Sequence, residues 1–454
     1  MWLKHILGLD GAIAYTVSAR LCGIVGSTGT VLLIVHFLSP IEQGYYYTIL
    51  GLVALQTVFE LGFTFVVLQM AAHECVHLVL HANGDIVGDP IAHARLASIL
   101  RQTVRWYLAA AAVMWIVLLP FGIFFFSDRA RGTGVPWHGP WIAAVSACAL
   151  MFLLDPLCSF LEGCGQVRQV ANARFWQALA VVAMSWTALM TRHGLYAPAM
   201  VMFGYAVVAA AFLWTRRKIL LGLWRFKTHG QAVSWRKEIW PFQWKIAISS
   251  LCAYFTMQIF TPLLFAFRGP IEAGQMGMSL SIVAYLSILA LAWTSTKAAP
   301  FGQMVSNGRL AELRDFFFRT FRQSSAVLIG MSVACEAGII GLHYLVPKLA
   351  ARMVAPWIFG LLILGTGGRF AAQTMAIYLR SFKREPFLVQ SIVVATLTLL
   401  FALVVVQAWG SAGLAVVYLF CTGIVGVVLA VRTFRSWEVV RGGGAIGTVK
   451  LEGR

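Results

Sequence analysis

The sequence predicts an all-α polytopic membrane protein of about twelve transmembrane helices in two six-helix lobes, and three observations carry that prediction. Hydrophobic residues make up 60% of the chain and charged ones only 11%, with a mean hydropathy of +0.80, far from the balance of a soluble domain. Apolar runs reach bilayer length: Ile246–Phe267 holds 22 residues without a charge, and at about 1.5 Å each they cover roughly 33 Å, enough for a hydrocarbon core of about 30 Å. The phrase SPIEQG at Ser39–Gly44 returns as GPIEAG at Gly269–Gly274, an offset of 230 residues. That is the mark of an internal repeat, with each half reading as a long helix, a short Pro-Ile-Glu-x-Gly turn and a second long helix.

In chain order the predicted spans lie near 16–38, 44–72, 104–126, 138–161, 174–191, 197–214, 239–267, 275–297, 322–344, 354–379, 388–408 and 411–431. They group into an N-terminal lobe (1–214), a basic amphipathic linker (215–238), a C-terminal lobe (239–432) and a tail (433–454). The first apolar run is too long for a signal-peptide core and lacks a small-residue cleavage site, so no cleavage is expected. The eight cysteines show no CxxC or paired spacing and read as small core residues. With the N-terminus inside, 25 of the 35 Lys and Arg fall in inner loops and six in outer ones. The positive-inside rule then places both termini in the cytoplasm. The net charge of +18 is therefore topological, and no nucleic-acid role is expected. The linker, TRRKILLGLWRFKTHGQAVSWRKE, mixes Trp, Leu and Phe with cations. An amphipathic segment on an anionic leaflet reads this way, and so does an ordinary basic linker.

An ionisable side chain near the bilayer centre costs about 2.5–3.5 kcal/mol on insertion scales, so each one asks for a partner or a function. Glu60 lies in the charge-free run Gln43–His73 and Glu336 is central in Gln323–Pro347, while Asp155 is under two turns from the inner end of its span. Arg369 sits eleven residues short of Arg380, about 16 Å deep by helical rise. Arg20, Lys245 and Lys297 lie nearer the inner ends of spans one, seven and eight. Snorkelling explains each of these three singly. Taken together, Arg20, Lys245, Lys297 and Arg369 are expected to line an inward-facing cleft that attracts a phosphate or pyrophosphate, with Glu60, Asp155 and Glu336 as ion-pair or coupling carboxylates.

His73-Glu74-Cys75-Val76-His77 is a literal HExxH, and His81 adds a third imidazole at four-residue spacing. In a zincin the two histidines would bind zinc and the glutamate would polarise water. With Asp155 as third ligand this would describe an intramembrane metalloprotease. The motif, however, sits where span two leaves the membrane, and Asp155 is followed by Pro156. No metal or cofactor is expected.

Several stretches carry a family resemblance: LSPIEQGYYYTILGLVALQTVFELGF (38–63), QMAAHE (69–74), FLEGCGQVRQVANAR (160–174), IWPFQWKIAIS (239–249), PLLFAFRGPIEAGQMGMSLS (262–281) and AWTSTKAAPFGQM (292–304). They resemble the Wzx-like oligosaccharide flippases of the multidrug/oligosaccharidyl-lipid/polysaccharide (MOP) exporter superfamily. In that branch the Ser/Ala-His-Glu after span two recurs without a partner histidine, and here Ala72 stands where Ser is expected. The resemblance implies a MATE-like fold, two six-helix lobes related by a pseudo-twofold along the membrane normal. It also implies movement of an undecaprenyl-pyrophosphate-linked oligosaccharide by alternating access, beside a polysaccharide polymerase and glycosyltransferases. The rival within the superfamily is a MATE-type antiporter for organic cations; a lipid II flippase usually has fourteen spans. Trp240, Trp244 and Tyr254 are expected to anchor the interface more readily than to stack on sugar.

Overall fold

The computed structural model describes residues 11–80, 86–129, 134–226, 233–234, 240–382 and 387–442. They are almost entirely helical. In order come α1 (Gly11–Phe37), α2 (Pro40–Val53), α3 (Gln56–Glu60), α4 (Phe63–Cys75), a hairpin of β1 (Leu78–Leu80) and β2 (Ile86–Gly88), α5 (Pro90–Arg129), α6 (His138–Gly163), α7 (Val167–Met190), α8 (Ala197–Thr215) and α9 (Arg217–Arg225). Then follow α10 (Trp240–Met257), α11 (Phe260–Phe267), α12 (Pro270–Ser295), α13 (Ala298–Ser306), α14 (Leu310–Leu345), α15 (Pro347–Ala350), α16 (Pro356–Arg380), α17 (Leu388–Tyr418) and, after a π turn, α18 (Gly426–Gly442).

Among the described residues seven helices are long and apolar enough to cross a membrane, or nine when two bent pairs count as spans. The pairs are Pro40–Glu60 with Phe63–Cys75, bent by 44°, and Ala247–Met257 with Phe260–Phe267, bent by 45°. The run expected as one straight helix over Ile246–Phe267 is thus two helices. The candidate Leu388–Ser436 is 49 residues long, about 73 Å, enough for two crossings. It breaks at Gly410 (φ 53°, ψ −134°), a conformation open to glycine. Spans eleven and twelve therefore meet at a single residue. α7 and α16 complete the expected set; both are long but diluted, α7 by Arg, Gln and Asn and α16 by Arg, Gln and Gly.

α5 has 40 residues, about 60 Å, so it outruns the bilayer and its first turns stand outside. In the connection predicted over 73–103 the described residues form the end of α4, an antiparallel strand pair that sets Leu78 against Gly88, and the projecting part of α5.

The repeated Pro-Ile-Glu-x-Gly phrase is a helix start, a correction to its reading as a turn. Ser39 caps α2, its Oγ accepting from Glu42 N–H (3.2 Å) while Ser39 N–H donates to the Glu42 carboxylate (2.8 Å). With Pro40 in the first turn this is a full capping box. The second copy opens α12 with Pro270 and Glu272. The two copies touch: Gln43 Nε2 donates to Gly274 O (2.9 Å), and a Cβ on Gly44 would lie 2.0 Å from Pro270 O. Only glycine allows that approach.

By packing, the chain forms two compact units, Met1–Tyr254 with Gln258–Met278, and Phe255–Met257 with Ser279–Arg454. In the first, α6 packs on α4, α5 and α8, and α7 on α1 and α8. Its core includes Tyr45, Phe126, Trp141 and Phe265, with Tyr45 and Phe126 stacked at 5.5 Å and Tyr45 edge-on to Phe265 at 4.9 Å. In the second, α16 packs on α14, α17, α18 and the π turn. Phe301, Phe317, Tyr378 and Phe434 are buried at its centre.

Candidate functional site

In the first unit the site grows from a break in span two. α3 ends at Glu60, and both residues that follow are left-handed, Leu61 (φ 52°) and Gly62 (φ 64°), before α4 resumes. A non-glycine residue held there is strained, by about 1–3 kcal/mol. Broken spans are where transporters place binding groups. Thr64 lies four residues beyond Glu60, and its hydroxyl shares a hydrogen bond of 2.8 Å with the buried Tyr107 of α5. Gln56 on α3 accepts from the Cys148 thiol of α6 (2.7 Å). Two turns further along α6, Asp155 comes within electrostatic reach of Glu60 and Tyr107. Glu60 is half-buried, and Asp155 is exposed although crowded by protein, as in a concavity.

Two carboxylates, a threonine and a tyrosine around a helix break can hold a cation or a proton. Sequence reading named Glu60 and Asp155; the fold brings them together. It missed Tyr107 and Thr64, whose only sequence signal is the Glu60-to-Thr64 spacing. It also missed the cation that Asp155 faces, Arg174 of α7, which binds Glu162 at 2.7 Å. Asp155 therefore sees Arg174 rather than any of the four expected cations.

In the second unit Arg369 is half-buried on α16. One Nη points at the Met257 sulfur, at the last residue of α10 where span seven bends, and its Nε is buried with no acceptor among the described residues. Glu336 on α14 does not pair with it. Its Oε2 is buried without a partner among the described residues, and it faces α16 at Gly360, nine residues or about 14 Å from Arg369 along the helix. Lys297, half-buried, occupies the break between α12 and α13.

Arg20 is exposed on the side of α1 away from α7, since α1 meets α7 through Tyr15, Gly26, Gly29 and Thr30. Lys245 lies in α10, and its side chain falls outside the described residues. No ion pair joins Arg20, Lys297 or Arg369 to an acid among the described residues. Tyr254 is buried and its hydroxyl donates to Gly51 O (3.2 Å), so it is not free to stack on a sugar; Trp240 and Trp244 are exposed.

The HExxH geometry does not suit zinc. Glu74 is turned inward and receives Arg95 Nε at 2.8 Å, while the His73 side chain is 82% exposed. His81 lies outside the described residues. No group of three or more His, Cys, Asp or Glu among the described residues could hold a metal ion.

No protein-family model and no curated protein matches the chain. Solved structures do match along nearly its full length. An inward-facing multidrug resistance MATE family transporter of the MOP superfamily aligns with a TM-score of 0.61 and 13% identity, covering 92% of this chain and 99% of that one. The lipid II flippase MurJ in an inward closed conformation aligns at 0.56 and 14%, covering 96% and 94%. A MOP superfamily transporter from Pyrococcus furiosus, described as having a binding pocket of reverse polarity, aligns at 0.55 and 12%, covering 96% of each chain. The protein is an all-α polytopic membrane protein with the fold of the MOP-superfamily transporters.

Proposed function

We propose that this chain is a flippase that carries a lipid-linked oligosaccharide, on undecaprenyl pyrophosphate, across the bacterial inner membrane by alternating access for surface polysaccharide synthesis. The observation behind this reading is Arg369, a guanidinium inside a span with a buried Nε and no acidic partner among the described residues. Its place at the C-terminal end of α10 offers about 0.3–1 kcal/mol of dipole stabilisation. An intramembrane charge costs about 2.5–3.5 kcal/mol, so the balance favours an incoming anion, and a pyrophosphate fits a guanidinium bidentately. Lys297, in the same unit, is assigned to the headgroup as a supporting cation, and Arg20 and Lys245 of the first unit are assigned to anion attraction there. Glu60, Asp155 and Glu336 are assigned to coupling.

Arg369→Ala should cut surface polysaccharide at least tenfold in a deletion strain while the amount of membrane-inserted protein stays normal, and Arg369→Lys should retain part of it. Full polymer export by Arg369→Ala would refute the assignment.

A second reading, export of an organic cation, is favoured by the Glu60–Asp155 pair. It predicts that Glu60→Gln and Asp155→Asn sensitise cells to cationic compounds and that Arg369→Ala does not.

A further inference from the structure

α9 is a short helix with two unlike faces. Ile219 and Leu223 are buried where α9 packs on α5. On the opposite side Leu221 and Trp224 remain 48% and 41% exposed, with the exposed Arg217, Lys218 and Arg225 around them. From Trp214 to Phe226 there is no acid. Exposed Trp and Leu flanked by cations are what a helix presents to a lipid interface.

The placement of α9 on α5 is fixed at one end. The Phe226 ring stacks on His93 at 3.7 Å, pinning the C-terminal end of α9 to the first turn of α5; Arg216 precedes the first turn of α9, and Arg101 lies two turns beyond His93 on α5. Both arginines hold a buried nitrogen without an acceptor among the described residues, Nε of Arg216 and Nη2 of Arg101. Their known contacts do not neutralise them. Arg101 Nε donates to Ala97 O (3.3 Å), and the next residue, Arg217, lies over the Trp214 ring at 4.8 Å with Nη1 on Trp214 O (2.9 Å). Buried guanidinium nitrogens left open call for an anion.

We propose that α9 and the projecting stretch of α5 form a binding site for the phosphate headgroup of an anionic phospholipid, in the leaflet on the side where residues 90–103 emerge. Arg216 and Arg101 take the phosphate, and Leu221 and Trp224 enter the headgroup–acyl boundary. The site lies wholly in the first unit and is independent of the transported substrate.

The test is the melting temperature of the purified full-length chain in phosphatidylcholine-containing micelles as phosphatidylglycerol is added. Ligand that binds only the folded state raises it by mass action. A rise of several degrees is expected for wild type with phosphatidylglycerol, and none with more phosphatidylcholine. Arg216→Gln/Arg217→Gln/Lys218→Gln should abolish the rise. Leu221→Ser/Trp224→Ser, which leaves every charge in place, should reduce it and serves if the charge variant does not fold. An equal rise in wild type and in the folded variants, or an equal rise with phosphatidylcholine, overturns the proposal. So does a rise produced by inorganic phosphate alone at matched concentration.

Discussion

Tyr107 shows how much of the site depends on single hydroxyls. Its ring is buried against Phe63 and Phe152, and its hydroxyl is satisfied by Thr64 at 2.8 Å. Tyr107→Phe keeps the packing and removes that bond. A loss of about 1 kcal/mol is expected, read as a lower melting temperature of the detergent-purified chain; an unchanged value would mean that Thr64 is satisfied elsewhere. Glu74 is a stronger case, because removing Arg95 leaves a buried carboxylate with only the exposed His73 ring, 3.8 Å away, beside it. Arg95→Ala should destabilise by about 3–5 kcal/mol, visible as loss of folded protein, whereas a zinc role for Glu74 would leave Arg95 dispensable and metal bound. At this scale the charged residues were legible in the sequence because an ionisable group stands out in an apolar run. Their partners were not. Glu60 and Asp155 are separated by 95 positions, and nothing in either neighbourhood announces that α3 and α6 meet. The positioning groups Tyr107 and Thr64 look like any other polar residues of a span.

Elements explain why the internal repeat survives as a phrase. Ser39, Pro40 and Glu42 start α2 by capping chemistry, and Gly44 is needed because the backbone of the second copy lies against it. The sequence displayed the repetition and its Gly. It could not display that the copies touch, so a turn and a helix start were indistinguishable. Gly44→Ala would drive a methyl into the Pro270 carbonyl, where backbone has to move. A cost of about 1–3 kcal/mol follows. Gly302→Ala is the control: nothing lies within 4 Å of its added Cβ, so it should stay within about 0.5 kcal/mol of wild type. Equal melting temperatures for the two variants would contradict the close crossing of α2 and α12. The bends escaped sequence reading for a related reason. Leu61–Gly62 and Gln258–Ile259 break spans whose apolar residues continue on both sides of the bend, and hydropathy is blind to backbone direction.

For the whole molecule, the number of crossings decides whether the charge asymmetry is coherent. α7 is the weak member. Its first half, VRQVANARFWQ, is too polar for it to rank among the candidate spans by length and apolarity, yet its 24 residues cover about 36 Å, and it packs along both α1 and α8. If α7 crosses, Gly165 and His193 lie on opposite faces of the membrane. All later basic segments then fall on the same side as Arg95 and Arg101. If it does not cross, every connection after it changes side, and the cations of the 215–238 linker face outward against the positive-inside bias. Alkaline phosphatase fused after His193 should therefore be active, and fusions after Gly165 and after Phe226 inactive. A fusion at Gly410, where α17 breaks, should again be active, because a one-residue turn there returns the chain across the bilayer. Matching activity at Gly165 and His193 would remove α7 from the membrane and with it the twelve-span arrangement.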